Sequence, residues 1–260
     1  MGERLEGRRA LITGASRGIG LGIAQHFVEE GAEVMLSATN GRLLHEVQAS
    51  LAKDDARVAS AVVDVSDPDS CRGLVERTRE VLGGIDVLVN AAGIYIAKPF
   101  LDYSYEQFDR VQKVNLYGTF NLMQEVLPEM IDRGYGKVIN IASTAGKWGS
   151  RNQTAYNAAK HGVVGMTRSV ALEVGRSGIT VNAICPGWVQ TDLLDDFLSS
   201  HALLNGSTVS AIREESLSKV PIGRFLEVSE CGHLAVYLAS SESDGMTGQS
   251  LLLDGGLLLV

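Results

Sequence analysis

One stretch near the start of the chain, Ala10-Leu-Ile-Thr-Gly-Ala-Ser-Arg-Gly-Ile-Gly20, limits what the rest can fold into. A short apolar run ends at Thr13, glycines follow at Gly14, Gly18 and Gly20, and a pattern of helical period begins at once. Glycine admits positive φ and lets a backbone approach a neighbour closely. A helix that starts immediately after the turn offers unpaired N–H groups and the positive end of its dipole to an anion. Strand, glycine turn and helix together read as a phosphate cradle built from Gly14, Ser16, Arg17, Gly18, Ile19 and Gly20. The natural anion for such a cradle in a parallel α/β sheet is a dinucleotide pyrophosphate.

The same alternation continues along the chain. Strand-like runs are predicted at Ala10–Thr13, Glu33–Ser37, Arg57–Val63, Ile85–Asn90, Gly136–Ala142, Thr180–Ile184 and Ser250–Leu253. Helical periodicity lies between them, as in Ile19–Glu30 and Ser70–Leu82, where apolar residues recur on one side. The first four runs are almost wholly apolar, the pattern of parallel strands covered on both faces. The expected fold is α/β, a doubly wound parallel sheet of about seven strands (Rossmann-type), formed as a single domain over 1–260. A long segment of mixed character, Thr191–Arg224, reads as either a substrate lid or a peripheral helix.

Composition narrows the function classes. Of 260 residues, 45% are hydrophobic, enough for one substantial core. A formal charge of -8 disfavours a nucleic-acid partner. Cys71, Cys185 and Cys231 lack metal-ligand or C-x-x-C spacing and read as buried thiols, so no metal is expected. The opening Met1-Gly2-Glu3-Arg4-Leu5-Glu6 has no apolar signal core, and no run nears the roughly 20 apolar residues that span a bilayer. A cytoplasmic protein without membrane contact is expected.

Tyr156 and Lys160 stand four apart in Ala155-Tyr-Asn-Ala-Ala-Lys160, so a helix puts both on one face. An ammonium beside a phenol favours the phenolate and lowers a pKa normally near 10. Such a tyrosine can exchange a proton with a carbonyl or alcohol oxygen. Ser143 closes the fifth predicted strand, at the carboxyl edge where α/β sheets bind ligands. Asn115 sits in the helical pattern before that strand. His26, His45, His161, His201 and His233 read as structural.

With these residues the chain resembles the short-chain dehydrogenase/reductase family over about Leu5–Gly256, closest to 3-oxoacyl-(acyl-carrier-protein) reductases and polyketide ketoreductases. The family's fingerprint is Thr-Gly-x-x-x-Gly-x-Gly. The resemblance implies that Asn115, Ser143, Tyr156 and Lys160 form a catalytic tetrad. Ser143 would bind the substrate oxygen and Tyr156 would transfer the proton. Lys160 would hold the nicotinamide ribose and tune Tyr156, with Asn115 supporting a water path to Lys160. It implies adenine contacts from Asp64 and Val65, and a nicotinamide loop using Pro186, Gly187, Val189 and Thr191. Asn90-Ala91-Ala92-Gly93 matches the family's Asn-Asn-Ala-Gly except at Ala91, which leaves the hydrogen bonding of that turn open. A homotetramer is also implied, supported by the small residues of the Tyr156 helix and the apolar Leu251–Val260 tail.

The end of the second strand, Ser37-Ala38-Thr39-Asn40, carries no acid to bind a ribose 2′-hydroxyl. NADP(H) is therefore expected over NAD(H), with Ala38, Thr39 and Asn40 near the adenosine ribose. Arg17 is the candidate to oppose a 2′-phosphate, with Arg42 as a second. Tyr95, Trp148, Gln153 and Trp188, with Ile94 and the Thr191–Arg224 segment, are expected to line the substrate pocket. That lining suits a 3-oxoacyl thioester or related ketone. Two alternatives stay open: an NAD-dependent secondary-alcohol or 3-hydroxybutyrate-type dehydrogenase, and a non-catalytic dinucleotide sensor or scaffold. The 3-hydroxybutyrate enzymes carry a lysine where this chain has Gln153. A carrier-bound substrate would need a basic dock, for which Arg133, Lys137, Arg151, Arg168 and Arg176 are candidates. Scattered solvated charges are the other reading of those five.

Overall fold

Each predicted apolar run becomes a strand, in the computed structural model that describes residues 3–52 and 57–260. Met1 and Gly2, which open the stretch read above for a leader, lie outside the described residues. The strands are β1 (Arg9–Thr13), β2 (Glu33–Ala38), β3 (Val58–Val62), β4 (Val87–Asn90), β5 (Gly136–Ile141), β6 (Ile179–Pro186) and β7 (Ser250–Leu253). All neighbours pair parallel, in the order β3-β2-β1-β4-β5-β6-β7. The order reverses between β1 and β4, and such a switch point opens a crevice at the carboxyl ends of the strands.

Side chains alternate across the pleat, so each strand feeds two cores. Ala10 and Ile12 of β1 and Val87 and Val89 of β4 join one apolar cluster with α1 (Gly18–Glu29), α2 (Gly41–Leu51) and α9 (Val228–Ala239). Leu11 and Leu88 point the other way. They meet α3 (Pro68–Leu82), α5 (Gly118–Arg133) and α6 (Thr154–Val174). Burial on both faces explains why these runs carry so little polar alternation. The cysteines at 71, 185 and 231 are unpaired and buried. Among the described residues no helix is long and apolar enough to cross a membrane.

The segment Thr191–Arg224 is helical rather than irregular. It folds into α7 (Asp192–Leu204) and α8 (Val209–Ser218), parted by Asn205, Gly206 and Ser207. Leu194, Leu198 and Ala202 pack with Ile212 and Phe225 in a small cluster separate from both sheet cores.

Strand direction removes three of the five residues expected in a basic dock. Lys137 is the second residue of β5, Arg133 ends α5 just before it, and Arg176 sits in the turn before β6, so all three lie at the amino end of the sheet. That is the end opposite the crevice. Lys137 is buried and paired with Asp244 at 2.7 Å, while Arg133 is engaged by Asp86 and Glu129.

A polar chain inside the sheet ties α6 to the central strands. Asn90 of β4 donates to the Asn140 side chain at 2.9 Å, and Asn140 donates to Thr167 of α6 at 2.9 Å. Thr167 in turn donates to the Val163 carbonyl at 2.8 Å. Asn140 is fully buried, so its loss would leave partners unpaired in low dielectric. Asn140→Ala is expected to cost about 1–3 kcal/mol. Thermal unfolding should register roughly 2–4 °C for each of these kcal/mol in a chain of this size. An unchanged melting temperature would show that this chain of hydrogen bonds contributes nothing net.

Candidate active site

The glycine turn has the shape the cradle needs. Gly14 takes φ +65°, and a Cβ there would stand 2.9 Å from the backbone of Ala91 and Ala92, which cross directly above it. At Gly20 a Cβ would overlap the Gly14 carbonyl. Arg17 is the residue before α1, and no side chain caps the helix, whose first turn holds no acid. The unpaired N–H groups of that turn face a cavity of about 860 Å³ that runs along the carboxyl edge. Its lining includes Gly14, Ser16, Arg17, Gly18, Ile19 and Gly20 from the turn, Ala38 and Thr39 after β2, and Asp64 and Val65 after β3. Ala91 and Gly93 after β4, and Pro186, Gly187, Val189 and Thr191 after β6, complete this half. An uncapped helix terminus over an open backbone cradle fits a dinucleotide pyrophosphate.

Three expected cofactor residues are used otherwise. Asn40 caps α2 by accepting from Leu43 N at 3.1 Å and is absent from the cavity wall. Asn90 is buried below the crevice, its amide turned to Asn140. Arg42 is solvent-exposed and pairs with Glu46 at 3.7 Å. Arg17 does face the cavity, yet its guanidinium meets Asp192 of α7 at 2.9 Å, with both side chains about two-thirds exposed. Screening makes such an exposed pair weak, so it can yield to a phosphate. The turn left short of an amide by Ala91 is satisfied from below, because Thr13 Oγ1 accepts from both Ala91 N (3.1 Å) and Ala92 N (3.2 Å).

The other half of the cavity gathers the predicted chemistry. Ser143 follows β5 in extended backbone, its hydroxyl accepting from Ala145 N at 3.1 Å. Tyr156 and Lys160 project from the first two turns of α6, both buried. Asn115 stands on a π-helical turn, Lys113–Tyr117, between α4 (Tyr105–Gln112) and α5. The extra residue in that turn aims its amide at the loop after β4. Its Oδ1 accepts from Ile94 N at 2.8 Å and its Nδ2 donates to Ile94 O at 2.9 Å. Helical periodicity located Asn115 but could not show the local change of register.

The electrostatics differ from the expectation that Lys160 lowers the Tyr156 pKa. Burial pushes the phenol up to about 12, and the Ser143 hydroxyl pulls it only partly back. Lys160 does not reach it: Nζ donates to the Ile141 carbonyl at 2.7 Å and lies 5.6 Å from the centre of the tyrosine ring. The lysine is itself drawn down to about 8 by burial, against a small opposing pull from Cys185. In the protein alone, desolvation outweighs the Ser143 hydrogen bond at the tyrosine and the Cys185 charge at the lysine.

Tyr95, Trp148, Gln153 and Trp188 all line this half, with Ile94. The Thr191–Arg224 segment, expected above to face the substrate, contributes Phe197 to this wall, with His201 packed against it. Phe197 of α7 lies 6.0 Å from both Tyr95 and Trp188. His201, read above as structural, has its Nε2 2.8 Å from the Tyr95 hydroxyl. Phe197 and His201 are four apart, and that i, i+4 spacing was the available signal once α7 is taken as a helix.

The family model described as enoyl-(acyl carrier protein) reductase matches residues 14–258. The chain belongs to the short-chain dehydrogenase/reductase family. Among its relatives, the 3-oxoacyl-(acyl-carrier-protein) reductase of Thermotoga maritima is 38% identical over 260 residues, covering 98% of this chain and 100% of the relative. D-beta-hydroxybutyrate dehydrogenase of Cupriavidus necator is 37% identical, covering 97% and 98%. Among solved structures, a single-residue variant of actinorhodin polyketide ketoreductase with NADPH superposes with TM-score 0.93 at 35% identity, covering 99% of each chain. Levodione reductase gives 0.92 at 34%, covering 97% of this chain and 98% of that one. As a short-chain dehydrogenase/reductase, the protein is an oxidoreductase that acts on a ketone or alcohol with a nicotinamide dinucleotide.

The buried lysine gives this site a pH signature. Lys160 binds its proton more weakly folded than unfolded, so below about 8 its burial costs stability in full. Between about 8 and its ordinary 10.5 the unfolded chain holds more protons, and stability rises with pH. Thermal melts of the cofactor-free protein should therefore gain on those of Lys160→Met between pH 8 and 9.5. Curves that stay parallel over this range would refute the depressed value.

Proposed function

We propose that the protein is an NADP(H)-dependent ketone reductase in which Tyr156 is the acid/base, acting on a 3-oxoacyl thioester or related uncharged ketone. The observation that carries this reading is one cavity that runs from the uncapped glycine turn to Ser143, Tyr156 and Lys160. The bound nicotinamide supplies the hydride to the carbonyl carbon. Ser143 and Tyr156 hold the carbonyl oxygen, and the Tyr156 hydroxyl delivers a proton to it as negative charge develops. A phenol held near 12 by burial is fully protonated at neutral pH, the state a reductase needs at the start. Lys160 holds the nicotinamide ribose, and Asn115 keeps the loop after β4 in place beside it.

Choice of cofactor rests on the end of β2. Ser37, Ala38 and Thr39 line the cavity without a carboxylate, so nothing there repels a 2′-phosphate, and Arg17 lines the same cavity. Choice of substrate rests on the opposite wall. Ile94, Tyr95, Trp148, Gln153, Trp188 and Phe197 supply no cation, and Lys160 is held by Ile141. Of the cations Arg110 and Lys113, which also line the cavity, Lys113 is paired with Asp109 at 2.8 Å. This lining favours an uncharged ketone over a small carboxylate such as 3-hydroxybutyrate. The segment carrying α7 and α8 serves as the substrate lid. A homotetramer is part of this reading, supported by outward Ala158, Gly165 and Leu172 on α6 and by exposed Leu259 and Val260.

Tyr156→Phe keeps the ring and removes only the proton donor. It should lower kcat/KM for ketone reduction far more than tenfold while NADPH still binds. Retention of above about a tenth of the activity would leave the tyrosine less than ~1.4 kcal/mol of the barrier, too little for the principal acid. Arg17→Ala should weaken NADPH much more than NADH, as read by the two dissociation constants. Equal losses would remove Arg17 from the discrimination.

A further inference from the structure

We infer that Tyr95 and His201 act together as a positioning and specificity pair, one hydrogen bond fastening α7 against the wall of the substrate pocket beside Tyr156. The two residues come from unrelated parts of the chain, Tyr95 from the loop after β4 and His201 from the third turn of α7. Their polar atoms meet at 2.8 Å. The Tyr95 ring stands edge-on to Tyr156, with centroids 5.3 Å apart and planes at 77°. The His201 ring lies 4.3 Å from Phe197 on the same face of α7. A single bond therefore sets the distance between the acid/base residue and the helix that closes the pocket.

The rest of α7 gives that bond its leverage. Its apolar face packs on α8 and Phe225 in a cluster separate from the sheet. At its amino end, Asp192 is joined to the glycine turn through exposed Arg17, a pair that salt and cofactor both weaken. The Tyr95 link is partly buried and its groups are matched. Burial raises the Tyr95 phenol, which keeps its proton to donate. Burial likewise favours the neutral His201 ring, whose Nε2 accepts in the tautomer protonated at Nδ1. Loss of either partner leaves the other desolvated and unpaired.

This inference rests on the ketone-reductase reading and adds a substrate class to it. With the pair closed, Tyr95, Phe197 and Trp188 present tilted aromatic faces and no charge, a slot for a ketone with a flat, uncharged flank such as an aryl ring. With the pair broken, α7 is released and the slot loses one side.

Tyr95→Phe, His201→Phe and the double variant test this, with His201→Gln as a rescue that retains an acceptor. Amide hydrogen exchange over Asp192–Leu204 should quicken about fivefold or more in each single variant. The double should exchange no faster than either single, because one bond is lost in all three. His201→Gln should return exchange toward wild type. Catalytically, KM for an aryl ketone such as acetophenone should rise about tenfold, while kcat and KM for 2-butanone move much less. Unchanged exchange in both singles, or additive effects in the double, overturns the fastening. A constant aryl-to-aliphatic ratio of kcat/KM overturns the specificity role. A wild-type chain that reduces no ketone on a broad panel defeats the functional reading instead, and the exchange measurement still decides whether the pair fastens α7.

Discussion

Parallel alignment of the strands is the constraint on which this molecule depends. When every strand runs the same way, each segment that follows a strand must emerge at one edge of the sheet. Thr13, Ala38, Asn90, Ile141 and Pro186 end five strands there, and the residues just after them line one cavity. Functional groups more than a hundred residues apart in sequence thus meet without any long-range device of their own. The same rule sends residues that precede strands to the far edge, where Arg9, Asp86, Arg133 and Lys137 are engaged in ion pairs that close the bottom of the sheet.

Placing Tyr156 and Lys160 at the carboxyl edge also means burying them. Both depart from their ordinary values in the direction of the neutral form, and in each case desolvation is the largest cause. A buried ammonium with a single carbonyl partner is costly, and in the proposed reaction that cost has a use. The Ile141 carbonyl ends the strand that leads to Ser143, so one backbone group orients the lysine and fixes the serine's position. The Asn90–Asn140–Thr167 chain then locks that strand to α6. Polar groups inside a sheet cost stability where a bond is not made, as at the buried Asn90 Oδ1, which has no partner among the described residues. Yet here they hold the two elements that carry the proposed acid/base and its serine.

Much of this was legible in the chain itself. Apolar runs located the seven strands to within two residues at either end, because two-sided burial leaves the central strands little else to be, while the half-buried edge strands β3 and β7 keep apolar runs as well. The glycine turn was legible because Gly14 and Gly20 have no room for a side chain. What stayed hidden depends on register and direction, which local pattern does not encode. The π turn that aims Asn115 differs from a helix by one residue. Asn40 was assigned to the cofactor, whereas an asparagine at the start of a helix competes for its own backbone amides and becomes a cap. The lowering of the Tyr156 pKa failed for a related reason. Spacing put Lys160 on the right face of α6, but the direction of its ammonium was decided by a carbonyl on another element.

The α7–α8 unit obeys a different logic from the sheet. It has its own small core, and Asn205-Gly206-Ser207 breaks its helical pattern in the middle, so local sequence leaves a lid and a peripheral helix both open. A unit that packs mainly on itself can change its inward face without disturbing either sheet core. The cradle and the tetrad positions allow no such freedom, since a Cβ at Gly14 meets backbone and Asn115 is bonded at both ends of its amide. Division of labour follows from that packing. The sheet edge fixes what chemistry the chain can perform, and in the proposed reading Phe197 and His201 of α7 bear on which molecule is held still long enough to undergo it.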